Sequence, residues 1–238
     1  MLVIAHRGAS GHAPENTLVA FRRAFELGAK AIEFDVHQTL DHELVVAHDD
    51  DFRRCGGGDR RRVKNIHWKG EAEAVDVGSW FDASFAGERL PRLADVYDLA
   101  GPAIEFHLEI KHGSAIYPGI EERVLDFLRA RGVLTRTLIS SFDHDALYRI
   151  RSLDERARVG YLLGLTRMKT AQREMQELAA ESLNLSVRQA TARAVKSAHD
   201  RGLRVLVYTV NTPAERDRLA KRGVDGIFSN YPELNLWR

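Results

Sequence analysis

Short apolar runs alternate with longer amphipathic segments along most of the chain. Short apolar runs predict β-strands, and apolar residues at helical spacing predict α-helices, several of which end at a glycine. The predicted strands are Leu2–Ala5, Ala31–Val36, Leu44–Ala47, Ile104–Ile110, Thr137–Ser140, Arg158–Leu162, Leu183–Leu185, Val205–Val210 and Gly226–Phe228. The predicted helices are Asn16–Leu27, Leu93–Ala100, Ile120–Arg131, His144–Ser152, Thr170–Ala180, Ala190–Arg201 and Ala214–Lys221.

The order of these elements predicts the fold. Leu44–Ala47 is an additional short strand, and nearly all of the eight main strands precede a helix. Such alternation favours parallel strands, and eight repeats favour closure into a single (β/α)8 barrel. The pattern alone also permits an open, doubly wound sheet. No linker divides the chain, so we expect one domain over residues 1–238.

Residues 49–91 break the alternation. The segment contains three consecutive glycines, many charges, and the tryptophans Trp68 and Trp80. We interpret it as an insertion in a loop that connects a strand to a helix. In α/β barrels these loops form the functional face, so the insertion is expected to lie near any active site.

Composition narrows the functional classes. The 238 residues are 44% hydrophobic and 29% charged, and the net charge of +1 argues against an extended nucleic-acid surface. Cys55 is the only cysteine, which excludes an intrachain disulfide and a cysteine-based zinc site. The first residues show no basic leader, and no apolar stretch reaches membrane-spanning length. These features predict a soluble, cytoplasmic protein, whereas the oligomeric state is left open.

Two carboxylates alternate along the second strand. Glu33 and Asp35 point to one face, about 6–7 Å apart at the usual strand rise. Their neighbours Ile32, Phe34 and Val36 indicate burial, and buried acids are costly unless a charge neutralises them. Hard oxygen ligands suit Mg²⁺ or Ca²⁺, so a divalent-cation site is favoured over a pair of surface acids. His37, on the same face, is interpreted as a polar loop residue.

Other strand ends supply further polar residues. His6 lies at the end of the first strand, where alternation directs its side chain toward the functional face. Arg7 beside it suits an anionic oxygen. Glu109 and Lys111 follow the same pattern on the strand Ile104–Ile110. His48 follows the short strand Leu44–Ala47, and its pairing with His6 suggests an acid and a base on two sides of one reacting centre.

Together these residues resemble the glycerophosphodiester phosphodiesterases, over almost the whole chain and in the same order. The matching segments are His6-Arg7-Gly8, Glu15-Asn16-Thr17, Glu33 with Asp35-Val36, Thr39 with Asp41, His48-Asp49, Pro91 with Leu93, Glu109-Ile110-Lys111, Ser141-Phe142, Thr209-Val210-Asn211 and Gly223-Val224-Asp225-Gly226-Ile227. No single segment is very specific, but the ordered set is.

The resemblance implies a (β/α)8 barrel that hydrolyses glycerophosphodiesters to sn-glycerol 3-phosphate and an alcohol. It implies one divalent cation, Mg²⁺ or Ca²⁺, and a small-molecule substrate. The implied residues are Glu33, Asp35 and Glu109 as metal ligands, His6 and His48 as acid and base, and Arg7, Lys111 and Tyr208 as substrate contacts. The related phosphatidylinositol phospholipases C further imply that a glycerol hydroxyl attacks first and gives a cyclic phosphate.

The chain also departs from the family pattern, and alternatives stay open. Tyr208 stands where the family often has Trp, and Ser229-Asn230 where it often has Thr-Asp. A glycine-rich segment, Arg54-Cys55-Gly56-Gly57-Gly58, replaces the usual Thr-rich one. A lysophospholipase D acting on lysophospholipids, with an apolar mouth built from the insertion, is one alternative. A non-catalytic barrel that binds phosphorylated ligands is another, and the sequence does not assign acid and base between the histidines.

Overall fold

The computed structural model describes residues 1–166 and 168–236. In these residues nine strands form one sheet. They are β1 (Leu2–His6), β2 (Ala31–Gln38), β3 (Leu44–Val46), β4 (Glu105–Ile110), β5 (Thr137–Ser141), β6 (Arg158–Leu162), β7 (Ser182–Ser186), β8 (Arg204–Tyr208) and β9 (Gly226–Ser229). Eight of them are parallel and follow the order β1-β9-β8-β7-β6-β5-β4-β2. Because β1 also pairs with β2, the eight strands close into a barrel, as predicted.

The strand β3 stands outside this ring. It pairs with the last residues of β2 in antiparallel register, Val36 opposite Val46, and so forms a hairpin past the part of β2 that pairs with β1. Its path returns toward the level of Asp35, whose carbonyl accepts a hydrogen bond from Ala47 N. The residues that follow β3 therefore lie beside the carboxyl ends of the barrel strands.

Seven α-helices in the described ranges surround the sheet. They are α1 (Leu18–Glu26), α2 (Leu93–Leu99), α3 (Ile120–Ala130), α4 (His144–Leu153), α5 (Met168–Glu177), α6 (Ala192–His199) and α7 (Pro213–Lys221). The first begins after Thr17, whose hydroxyl accepts a hydrogen bond from Ala20 N and caps the helix. It ends before Gly28, which has a φ of +83°, a conformation that glycine adopts without strain. None of the helices in the described part of the chain is long and apolar enough to cross a membrane.

The main core lies between the sheet and the helices. Phe34 of β2 is fully buried there, with edge-on ring contacts to Phe21, Tyr97 and Phe106 at 5.9–6.3 Å. Burial of each such side chain contributes roughly 1.5–3 kcal/mol. A smaller cluster fills the inside of the barrel and consists of Ile4, Ala31, Leu138, Leu206 and Phe228. Alternation along β2 thus directs Phe34 outward and the neighbouring acids inward.

Residues 49–91 have a small core of their own. Three short 3-10 helices occur here, at Val63–Asn65, Ala72–Ala74 and Ala83–Phe85. Their buried apolar residues cluster with Val45 of β3, which joins the segment to the barrel. Trp68 packs against this cluster. The ring of Phe81 instead contacts those of Trp80 and Phe85, each at 5.7 Å between ring centroids.

Candidate active site

Three carboxylates meet at the carboxyl end of the barrel. The strands β2 and β4 are adjacent and parallel, and their register places Asp35 opposite Glu109. Glu33 lies one inward position earlier on β2. One carboxylate oxygen from each of the three residues lies within 4.8 Å of the others. All three residues are buried, with exposed fractions of 6% for Glu33, 1% for Asp35 and 9% for Glu109.

The three buried carboxylates repel one another, as expected for a site that binds a cation. Burial and the charge of Asp35 raise the pKa of Glu33 well above its ordinary value. Burial and the same charge raise the pKa of Glu109 to about 7. Asp35 Oδ1 has no hydrogen-bond partner among the described residues, although Lys111 Nζ lies 3.3 Å away. A set of carboxylate oxygens held this close together fits a hard divalent cation.

Two basic side chains partly neutralise the acids. Lys111 Nζ lies 2.8 Å from Glu109 Oε1, and Arg7 Nε lies 3.2 Å from Asp35 Oδ2. Of the three acids, Asp35 is the one that the two basic side chains keep ionised. Burial opposes its ionisation, but the charges of Lys111 and Arg7 hold its pKa below the usual range. Arg7 also adopts a φ of +56°, and its backbone N–H donates to Glu33 Oε2 at 3.0 Å. Both bases are thus fixed on the carboxylates and border the same pocket.

His6 ends β1 at the edge of the acidic cluster. Its Nδ1 donates to Asn230 Oδ1 at 2.8 Å, so its Nε2 is the unprotonated nitrogen. That Nε2 lies 4.0 Å from Glu33 Oε2. Burial, with the charge of Arg7, lowers the pKa of His6 to about 4. Burial and the charge of Arg7 therefore keep the ring neutral, although the hydrogen bond to Asn230 by itself favours the protonated form.

His48 has a different partner. Its Nδ1 lies 2.6 Å from Asp49 Oδ1, a carboxylate that orients the ring and leaves Nε2 free. The guanidinium of Arg54 donates to Asp49 Oδ2 at 2.8 Å and to both oxygens of Glu15 at 2.7 and 2.9 Å. Glu15 accepts in turn from Arg7 at 2.9 Å. A continuous chain of charge-assisted hydrogen bonds therefore joins His48 to the acidic cluster.

The structure corrects two expectations for this region. His48 was expected to end a strand in the same way as His6, but β3 is antiparallel and stops at Val46, so His48 lies in the loop that follows. His37 was expected in a loop, but it is fully buried within β2. Its Nδ1 lies 2.7 Å from Tyr117 Oη, and its Nε2 donates to the His48 carbonyl at 3.2 Å. The ring thus supports the backbone that carries His48.

A pocket of about 170 Å³ opens onto these groups. Of the eight residues expected at the site, seven line it: His6, Arg7, Glu33, His48, Glu109, Lys111 and Tyr208. Asp35 lies behind them, fully buried. The outer wall is aromatic, with Phe142 43% exposed and edge-on to Tyr208 at 6.1 Å. The lining residues do not include the aromatic residues of the insertion, where the apolar mouth of a lysophospholipase D was expected.

Several residues of the site were not assigned roles from the sequence. Asp49 and Glu15 belong to the motifs that carry the family resemblance. Their positions next to His48 and Asn16 in the chain could therefore have indicated that they belong to the site. Asn230 was noted only as a departure from the family pattern. Arg54 carried no signal, because its contacts with Asp49 and Glu15 depend on how the insertion folds back.

Comparison with known proteins agrees with this geometry. Residues 6–234 match the model of the Glycerophosphoryl diester phosphodiesterase family. A glycerophosphodiester phosphodiesterase of Caldanaerobacter subterraneus subsp. tengcongensis is 37% identical over 242 residues, covering 100% of this chain and 98% of the relative.

Solved structures give the same result. A glycerophosphodiester phosphodiesterase from Agrobacterium tumefaciens superposes with a TM-score of 0.84 at 26% identity, covering 98% of each chain. An Oleispira antarctica phosphodiesterase, solved in complex with the product sn-glycerol-3-phosphate, gives a TM-score of 0.88 at 27% identity and covers 98% of this chain and 94% of that one. These matches confirm the fold and the enzyme class predicted from the motifs. The chain therefore belongs to the glycerophosphoryl diester phosphodiesterase family.

Proposed function

We propose that this chain hydrolyses glycerophosphodiesters to sn-glycerol 3-phosphate and an alcohol, with a divalent cation and two histidines. One observation carries the proposal. A single pocket brings together a carboxylate cluster, two imidazoles with free Nε2 atoms, and two basic side chains. The product bound to the Oleispira antarctica relative supports the choice of substrate.

Glu33, Asp35 and Glu109 would hold the cation, and their all-oxygen donor set suits Mg²⁺ or Ca²⁺. When bound, the cation supplies positive charge against the non-bridging oxygens of the phosphodiester. It would also favour the ionised forms of Glu33 and Glu109, whose pKa values are raised by burial and by the charge of Asp35.

Arg7 and Lys111 bind and orient the phosphate in this proposal. Both are held by carboxylates on one side and border the pocket on the other. Because they are already fixed, little reorganisation is needed as negative charge builds on the phosphoryl oxygens. A bidentate guanidinium is well matched to such oxygens.

The partners of the two histidines suggest which is base and which is acid. Burial and the charge of Arg7 keep His6 neutral. Its Nδ1 donates to Asn230, so its Nε2 can remove a proton from the attacking hydroxyl. Burial lowers the pKa of His48, but its hydrogen-bond contact with the carboxylate of Asp49 stabilises an imidazolium, a contact that His6 lacks. We therefore assign His6 as the base and His48 as the acid that protonates the leaving alkoxide at Nε2.

The test measures released sn-glycerol 3-phosphate for the glycerophosphodiesters and the released head-group alcohol for the lysophospholipid, since cleavage of a lysophospholipid leaves the acyl chain on the glycerol phosphate. Glycerophosphocholine, glycerophosphoethanolamine and a lysophospholipid would be compared, each with and without EDTA. We expect turnover of the two glycerophosphodiesters and its loss on chelation, restored by added Mg²⁺ or Ca²⁺. Turnover of the lysophospholipid alone would instead identify a lysophospholipase D, and full activity after exhaustive chelation would reject the metal. The cytoplasmic location stays a prediction.

A further inference from the structure

A buried amide stands on the far side of the pocket from the acids. Asn184 lies on β7, which is four strands away from β2 in either direction around the closed barrel. The residue is 1% exposed and lines the same pocket as Glu33 and Glu109. Its side chain thus faces the acidic cluster across the mouth of the barrel.

The two ends of this amide differ. Oδ1 accepts a hydrogen bond from Ser182 Oγ at 2.8 Å, which fixes the side chain. Nδ2 is buried and has no hydrogen-bond partner among the described residues. Since a buried N–H without an acceptor is unfavourable, such groups in folded proteins are normally satisfied by protein, by water or by a ligand. The acceptor for Nδ2 must therefore come from what enters the pocket.

We propose that Asn184 Nδ2 donates a hydrogen bond to the terminal hydroxyl of the substrate's glycerol unit and so selects for glycerol. This inference rests on the proposed function. The phosphate is placed by Arg7 and Lys111 on the opposite wall, and a neutral donor suits a hydroxyl better than an anion. The terminal hydroxyl is the glycerol group farthest from the phosphate, and Asn184 lies three strands away from each of the strands, β1 and β4, that those bases follow.

The difference in burial along the pocket indicates which end holds the glycerol unit and which end holds the variable alcohol. Asn184 is almost fully enclosed, whereas Phe142 at the outer wall is 43% exposed. An enclosed polar end fits the small unit that all these diesters share. The open aromatic end fits alcohols of differing size.

The experiment compares two competitive inhibitors of glycerophosphocholine hydrolysis. These are sn-glycerol 3-phosphate and 2-hydroxyethyl phosphate, which keeps the neighbouring hydroxyl but lacks the terminal hydroxymethyl group. The wild type should bind the glycerol compound more tightly. Asn184→Leu, of similar volume but without a donor, should lose about 3- to 10-fold of that preference, the usual effect of one neutral hydrogen bond. Asn184→Ala should do the same if the Leu variant fails to fold.

Phe142→Ala is the matched control, because it alters the open end of the pocket. It should change relative rates for different alcohols but leave the preference between the two inhibitors unchanged. An unchanged preference in the Asn184 variants, or an equal loss for both inhibitors, would overturn the inference. Failure of the wild type to release sn-glycerol 3-phosphate would instead reject the proposed function, so the two failures are distinguishable.

Discussion

Replacement of Glu109 by Gln measures how much the negative charge of this residue destabilises the folded protein when no cation is bound. Glu109 lies opposite Asp35 on the adjacent strand and contacts Lys111 at 2.8 Å. Glutamine keeps the volume and an acceptor for Lys111 but cannot carry charge. The metal-free variant should therefore be more stable than the metal-free wild type at pH 8, and it should bind the cation more weakly.

The magnitude follows from the pKa. Burial and the charge of Asp35 raise the pKa of Glu109 from 4.5 to about 7. At about 1.4 kcal/mol per pKa unit, ionising Glu109 in the folded state costs roughly 3 kcal/mol. Because the pKa is higher in the folded protein than in the unfolded chain, stability falls as the pH rises from about 4.5 to 7 and then levels off. The advantage of the variant should be full at pH 8 and small at pH 5.

The assay is urea unfolding in EDTA at pH 5 and pH 8, for the wild type and Glu109→Gln. The exposed Glu155→Gln removes the same charge elsewhere and should show no such pH-dependent gain. Added Mg²⁺ or Ca²⁺ should raise the stability of the wild type more than that of Glu109→Gln. An equal free energy of unfolding for wild type and Glu109→Gln at pH 8, or a gain of the same size at both pH values, would refute the electrostatic reasoning.

Three further outcomes are expected. His6→Ala and His48→Ala should each lower kcat/KM by about 10²–10⁴-fold and leave metal affinity largely intact. The pH profile of kcat/KM for the wild type should be bell-shaped, and the double variant should lose less activity than the product of the two single losses. Wild-type activity in either single variant would contradict the pairing. Glu33→Ala should lose both bound metal, measured by equilibrium dialysis, and activity. Because Trp80 and Phe81 do not line the pocket, replacing them should leave the relative rates among head groups unchanged, and a change in those relative rates would instead indicate a role of the insertion in selectivity.

Local pattern predicted much of the fold. The eight main strands and the helices that follow them came from apolar periodicity, and closure into a barrel came from counting them. Pattern was weaker for the short strand β3. An isolated apolar run does not show the direction of its pairing, and only the register with β2 made it an antiparallel hairpin strand.

The sequence by itself determined the acids at the centre of the site. Alternation along a strand fixes which residues share a face, so Glu33 and Asp35 had to point the same way, and parallel strands bring their ends to one side of the barrel with Glu109. His37 shows the limit of that reasoning, since nothing local distinguished a loop from a buried strand end.

Only the tertiary structure decided the partners of the catalytic candidates. Asn230 reaches His6 across 224 positions of the chain, and Arg54 reaches Glu15 across 39. Asn184 faces the acids only because the barrel closes. Such contacts depend on how distant segments fold back, which no local periodicity encodes. The sequence therefore determined which residues can do chemistry, and closure of the barrel decided which neighbours orient them and tune their charge.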